Sequence, residues 1–81
     1  MTVRLRFFAS LRERMRRSQA DLVLPAGATV GDLWEALAAQ HPQLRDLGAS
    51  VSFAVNLEYV ERGHHLSEND EVALIPPVSG G

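Results

Sequence analysis

An α+β domain is predicted, a mixed sheet of four to five strands packed on one main helix, and three observations predict it. The chain has 81 residues, which makes one core and one domain the expectation. Apolar residues alternate with period two in four runs, Val3-Leu5-Phe7, Leu22-Leu24, Val51-Phe53-Val55-Leu57 and Val72-Leu74. Between the second and third runs lies one apolar stripe of helical period, formed by Val30, Leu33, Trp34, Leu37 and His41. A single amphipathic helix can cover only one face of a sheet. The other face must meet solvent or a partner.

The elements follow in order. VRLRFFA is a half-buried strand with Val3, Leu5 and Phe7 on one side and Arg4, Arg6 and Phe8 on the other. Ser10-Leu-Arg-Glu13 has the spacing of a capping box and opens a short helical turn to about Arg16, with Leu11 and Met15 inward. Gln19 to Leu24 is the second strand, closed by the turn residues Pro25-Ala-Gly27. Thr29-Val-Gly-Asp32 is a second capping box at the start of the main helix. His41-Pro42 ends that helix, because a residue before proline avoids helical angles. Leu44 to Gly48 reads as one further turn stopped by Gly48, and Val51 to Leu57 as the third strand. Tyr59-Val60 is a short fourth strand. Polar turns at Arg62–His65 and Ser67–Asp70 flank Leu66, and Glu71 to Ile75 is the last strand. Pro76-Pro77 then forbids further ladder donation. The domain is accordingly placed at residues 1–76 and a flexible tail at 77–81.

Composition removes several function classes. Cysteine is absent, which excludes disulfide staples, a thiolate nucleophile and cysteine-based metal sites. Arginines interrupt the apolar N-terminal run, so neither a signal peptide nor a membrane anchor is expected, and a cytoplasmic protein is. The formal net charge of −2 argues against nucleic acid, although six arginines and one glutamate crowd residues 1–17. Trp34 and Tyr59 are too scattered for a base-stacking platform.

No residue set makes a complete active site. His64-His65 are adjacent, so their rings diverge, and no third ligand stands at metal spacing; no metal is expected. His41 reads as a helix-end residue. Glu68, Asp70 and Glu71 lack the calcium-loop spacing, Ser10 and Ser67 are accounted for by capping and turn roles, and both phosphate-loop motifs are missing. The chain is therefore expected to act in catalysis as a substrate, carrier or subunit.

Two features remain. The sequence closes on IPPVSGG, whose last two residues lack side chains and are costly to order. Against a frayed terminus, the expectation is that they carry a carboxylate into a narrow site. By strand parity, Phe8, Ala73, Ile75 and Ala54 gather on the uncovered sheet face if the first and last strands are neighbours, an apolar docking patch beside the tail.

The order of elements and the terminal glycine pair resemble the ubiquitin-like β-grasp fold. Within it RLRFFASLRERM, SFAVNLEYV, LSENDEVALIPP and VSGG are similar to the small subunits of molybdopterin synthase, over essentially the whole chain. The resemblance implies that the Gly81 carboxylate is adenylated with ATP by an enzyme related to ubiquitin-activating enzymes, and then converted to a thiocarboxylate. It implies further that the tail, with Gly80 giving access, enters the large synthase subunit of a heterotetramer and gives sulfur to cyclic pyranopterin monophosphate, forming the dithiolene. Phe8, Ile75, Pro76, Pro77 and Val78 are the implied partner-binding residues. No bound cofactor, nucleic acid or membrane is implied. Carriers for thiamine or tRNA thiolation share this chemistry, and a ubiquitin-like modifier or an interaction module with an incidental glycine pair are the remaining alternatives. The absence of lysine excludes side-chain-linked chains of this protein on itself.

Overall fold

The computed structural model describes residues 1–77. Strand β1 (Thr2–Phe7) is followed by helix α1 (Ala9–Met15), β2 (Gln19–Val23), helix α2 (Val30–Gln40), a 3₁₀ segment (Pro42–Ser50), β3 (Ser52–Val55), β4 (Glu58–Val60) and β5 (Glu71–Ile75). The five strands form one mixed sheet in the order β2-β1-β5-β3-β4. β1 runs parallel to β5 and antiparallel to β2, while β3 is antiparallel to β5 and β4.

Alternation becomes burial in the central strands. Val3, Leu5 and Phe7 of β1, and Val72 and Leu74 of β5, are almost wholly shielded by α2, whose Val30, Leu33, Trp34 and Leu37 meet them in one core. Phe53 packs edge-on to Trp34 at 6.1 Å between ring centroids. Among the described residues no polar or charged side chain is buried, so the domain relies on hydrophobic packing.

The capping box of α2 forms as expected. The Thr29 backbone N–H donates to Asp32 Oδ2 at 2.9 Å, and the Asp32 N–H donates to Thr29 Oγ1 at 3.2 Å. The Thr29 backbone N–H above all, and then the Thr29 hydroxyl, hold the Asp32 carboxyl below its usual range. The helix ends at Gln40, and His41 stands outside it as the C-cap, its N–H bonded to the Leu37 carbonyl at 2.9 Å.

Several expectations are corrected. The Ser10–Glu13 capping box does not form. The chain turns from β1 into α1 at Phe8 and Ala9, so Ser10 is already inside the helix and its hydroxyl is past the capping position. The turn after Pro42 does not stop at Gly48 but continues to Ser50. Gly48 serves space instead, since a Cβ there would lie 3.3 Å from Trp34 Nε1. The second strand ends at Val23, one residue early, and the third spans only Ser52–Val55. Leu57 does not face inward. It is 91% exposed, and Asn56 and Leu57 take φ of 50° and 74° in a tight hairpin between β3 and β4.

Leucine has no reason of packing to occupy that left-handed position. Leu57→Gly is expected to raise stability by about 1 kcal/mol, read as a higher urea midpoint with unchanged slope. A midpoint that falls would show that the leucine makes a stabilising contact.

Candidate functional site

The uncovered sheet face is built by register. Arg4 and Arg6 of β1 point away from α2, and so do Glu71, Ala73 and Ile75 of β5. Arg6 pairs with Ala73, Ala73 with Ala54, and Ala54 with Tyr59, so these four form one row across four strands. The register Phe7–Leu74 continues to bring Phe8 level with Ile75 where both strands end. The neighbourhood of first and last strands on which the patch depended is thus present.

The face divides into two halves. At one end Arg4 approaches Asp21 at 4.0 Å and Arg6 approaches Glu71 at 3.8 Å, exposed ion pairs of small energetic weight. At the other end Phe8 is 44% exposed beside half-buried Ile75, while Tyr59, 73% exposed, stands on the edge strand β4 in the row of Arg6 and half-buried Ala73. Ala54 belongs to this face yet is covered, at 8% exposure. Tyr59 was not anticipated in the patch. Its place follows from the tight β3–β4 turn, which a sequence reading could have found in Asn56.

The base of the tail is positioned by the same end of the sheet. Because β1 and β5 are parallel, the chain leaves β5 beside Phe8, with Pro76 buried and Pro77 exposed. Helix α1 closes this end, and its place is held from the far side: Arg14 Nη1 donates to Asp46 Oδ1 at 2.6 Å and to the Gln43 carbonyl at 2.8 Å. The guanidinium keeps the Asp46 carboxyl below its usual range. Val78, Gly80 and Gly81 lie outside the described residues.

The other chemistry-bearing side chains are spread apart. His65 Nδ1 lies 2.9 Å from the Gly27 carbonyl, and the His64 carbonyl accepts from Val30 N–H at 3.0 Å, so this loop caps α2. Asp70 Oδ2 accepts from the Ser67 N–H at 2.7 Å, and its Oδ1 from Asn56 Nδ2 at 3.0 Å, which closes the last turn. Among the described residues no group of three or more metal-ligating side chains gathers. Nor is any helix long and apolar enough to cross a membrane.

A mixed five-stranded sheet over one main helix, with an apolar half-face at the root of a C-terminal segment, defines a ubiquitin-like β-grasp protein. The chain belongs to the ThiS family, whose model matches residues 5–81. It is 37% identical to the molybdopterin synthase sulfur carrier subunit of Chlamydomonas reinhardtii over 83 residues, covering all of both chains. Its identity to the human protein of the same name is 35% over 82 residues, which covers 98% of this chain and 93% of that one. Among solved structures, SAMP1 from Haloferax volcanii superposes with a TM-score of 0.87 at 32% identity, with both chains fully covered.

Proposed function

We propose that this chain is the sulfur carrier subunit of a molybdopterin synthase, loaded at the Gly81 carboxylate. The observation that carries the reading is its similarity, over the full length of both chains, to a carrier subunit of that kind. The apolar half-face at the root of the tail supports it physically. Docking energy is drawn from Phe8, Tyr59 and Ile75, while the chemistry is delivered elsewhere, at the end of a narrow segment.

A free carboxylate is a poor electrophile. One of its oxygens attacks the α-phosphorus of ATP and pyrophosphate leaves, giving a mixed anhydride with AMP. A sulfur nucleophile then displaces AMP at the carbonyl carbon and leaves a thiocarboxylate. The ubiquitin-activating-enzyme-like partner supplies the groups for these steps. In the large synthase subunit the thiocarboxylate gives its sulfur to cyclic pyranopterin monophosphate, and two transfers complete one dithiolene. Residues 77–81 extended reach roughly 17 Å, enough for a buried site while the sheet face remains on the partner's surface.

The decisive assay combines this chain, as its Gly81 thiocarboxylate, with the large subunit of the same organism and the cyclic precursor. Dithiolene formation in proportion to the loaded chain is the expected result. No conversion, with the thiocarboxylate intact by mass and the large subunit active with another carrier, would transfer the reading to thiamine or tRNA thiolation, or to protein modification.

A further inference from the structure

On the layer opposite the open sheet face, the C-terminal half of α2 and the 3₁₀ segment enclose a groove of about 560 Å³. We propose that this groove binds an extended acidic segment of a partner protein, with a carboxylate held by Arg45 and Arg62 and an apolar side chain laid on Ala38, Ala39 and Ala49. This inference is independent of sulfur carriage.

Both arginines line the groove without a carboxylate partner among the described residues. The ion pairs among the described residues are Arg4–Asp21, Arg6–Glu71 and Arg14–Asp46, so neither Arg45 nor Arg62 has a carboxylate partner there. Arg62 is held in place before any ligand arrives. Its guanidinium lies 5.1 Å from the centroid of the Phe53 ring, and one of its nitrogens donates to the Gly48 carbonyl. Its backbone is fixed as well, its carbonyl accepting from Gly31 N–H at 2.8 Å. Such preorganisation lowers the ordering cost of binding.

A third donor is the indole N–H of Trp34. The residue is only 4% exposed, and its Nε1 is not a buried orphan, since no buried side-chain nitrogen or oxygen among the described residues lacks a partner. Trp34 and Gly48 both line the groove, and Nε1 is the atom that a Cβ on Gly48 would meet, so the missing side chain leaves this donor open. Two guanidiniums and an indole N–H match the several lone pairs of a carboxylate.

The occupant's class follows from the remaining lining. The Trp34 ring is buried, so it offers its edge and no face for stacking, which disfavours a nucleotide base. Glu35 at the groove repels a bare multiply charged anion but can accept the N–H of a peptide. The alanines suit an aliphatic side chain between acids. Since the groove and the sheet face lie on opposite layers, an acidic partner could be held while the sheet face is docked.

Trp34 is the chain's sole tryptophan, which makes its fluorescence a direct reporter. The probe is a blocked pentapeptide alternating glutamate and leucine, titrated into the full chain. Saturable change below about 1 mM is expected, with binding at least tenfold weaker for Arg45→Glu and for the peptide with glutamine in place of glutamate. Arg17→Glu and Phe8→Glu should bind as the parent does, which separates the groove from general charge attraction and from the sheet face. Arg45 is exposed, so its variant should keep the parent's circular dichroism and unfolding midpoint. The proposal is overturned by no saturable response to the acidic peptide, by equal affinity in Arg45→Glu, or by inorganic phosphate alone matching the peptide's response and affinity.

Discussion

Deletion of Gly81 is expected to lower sulfur transfer by at least about a hundredfold while leaving the unfolding midpoint unchanged. Removing one residue draws the carboxylate back by about 3.5 Å. A misplacement of only ~1 Å at a reacting centre can already cost about 10²-fold. The described residues form a closed core without it, and Pro77 is already exposed, so the fold is expected to survive. Turnover by the deleted chain should be measured in the reconstituted synthase, with the adenylation step followed separately as pyrophosphate release. Normal turnover would falsify the role given to Gly81. Gly81→Ala is the milder form of the same experiment, since a single methyl widens the probe and narrows its backbone freedom.

Phe8→Glu is expected to weaken binding to the large synthase subunit by about 30-fold, in the range of an interface anchor. A charge would replace the aromatic group at the apolar end of the sheet face and would need desolvation on docking. The fold should survive. Phe8 is 44% exposed and has extended backbone at φ −120°, which glutamate adopts freely, and a carboxylate is favourable before a helix. Calorimetric titration gives the affinity and circular dichroism the fold. An unchanged affinity would remove the sheet face from the docking surface, while leaving the chemistry proposed for the tail untouched.

Much of the architecture was legible in the chain, for reasons that differ by element. Thr29 and Asp32 satisfy each other's backbone N–H groups across three residues, so their spacing alone announces the start of α2. Ser10 and Glu13 have the same spacing and fail, because the corner after β1 sets the helix start earlier than the motif does. Parity places Leu57 inward, but parity carries no information about where a strand stops. Asn56 decides that: its Oδ1 accepts from Glu71 N–H at 3.1 Å and its N–H donates to the Glu71 carbonyl at 2.8 Å, pinning the turn to β5.

The candidate site divides in the same way. Phe8 and Ile75 could be placed on one face from alternation, given that the first and last strands adjoin. Tyr59 needs one step more, the tight turn signalled by Asn56, which sets Tyr59 of the fourth strand opposite Ala54. The groove at Trp34 has no signature in the sequence, for it joins residues from α2, the 3₁₀ segment and the loop after β4.

What the sequence by itself determined about this protein is therefore local: the strand and helix periods, the cap of α2, the missing cysteines and metal sets, and a segment ending in Pro-Pro-Val-Ser-Gly-Gly. These rest on hydrogen bonds and burial patterns spanning a few residues. The tertiary structure alone decided that β1 lies parallel beside β5, that Tyr59 shares the open sheet face with Phe8 and Ile75, and that Arg45 and Arg62 share a groove. Such pairings close loops of tens of residues, and no short stretch of chain can repay that entropy. They are selected only when Phe7, Leu74, Phe53 and Trp34 leave water together in one core.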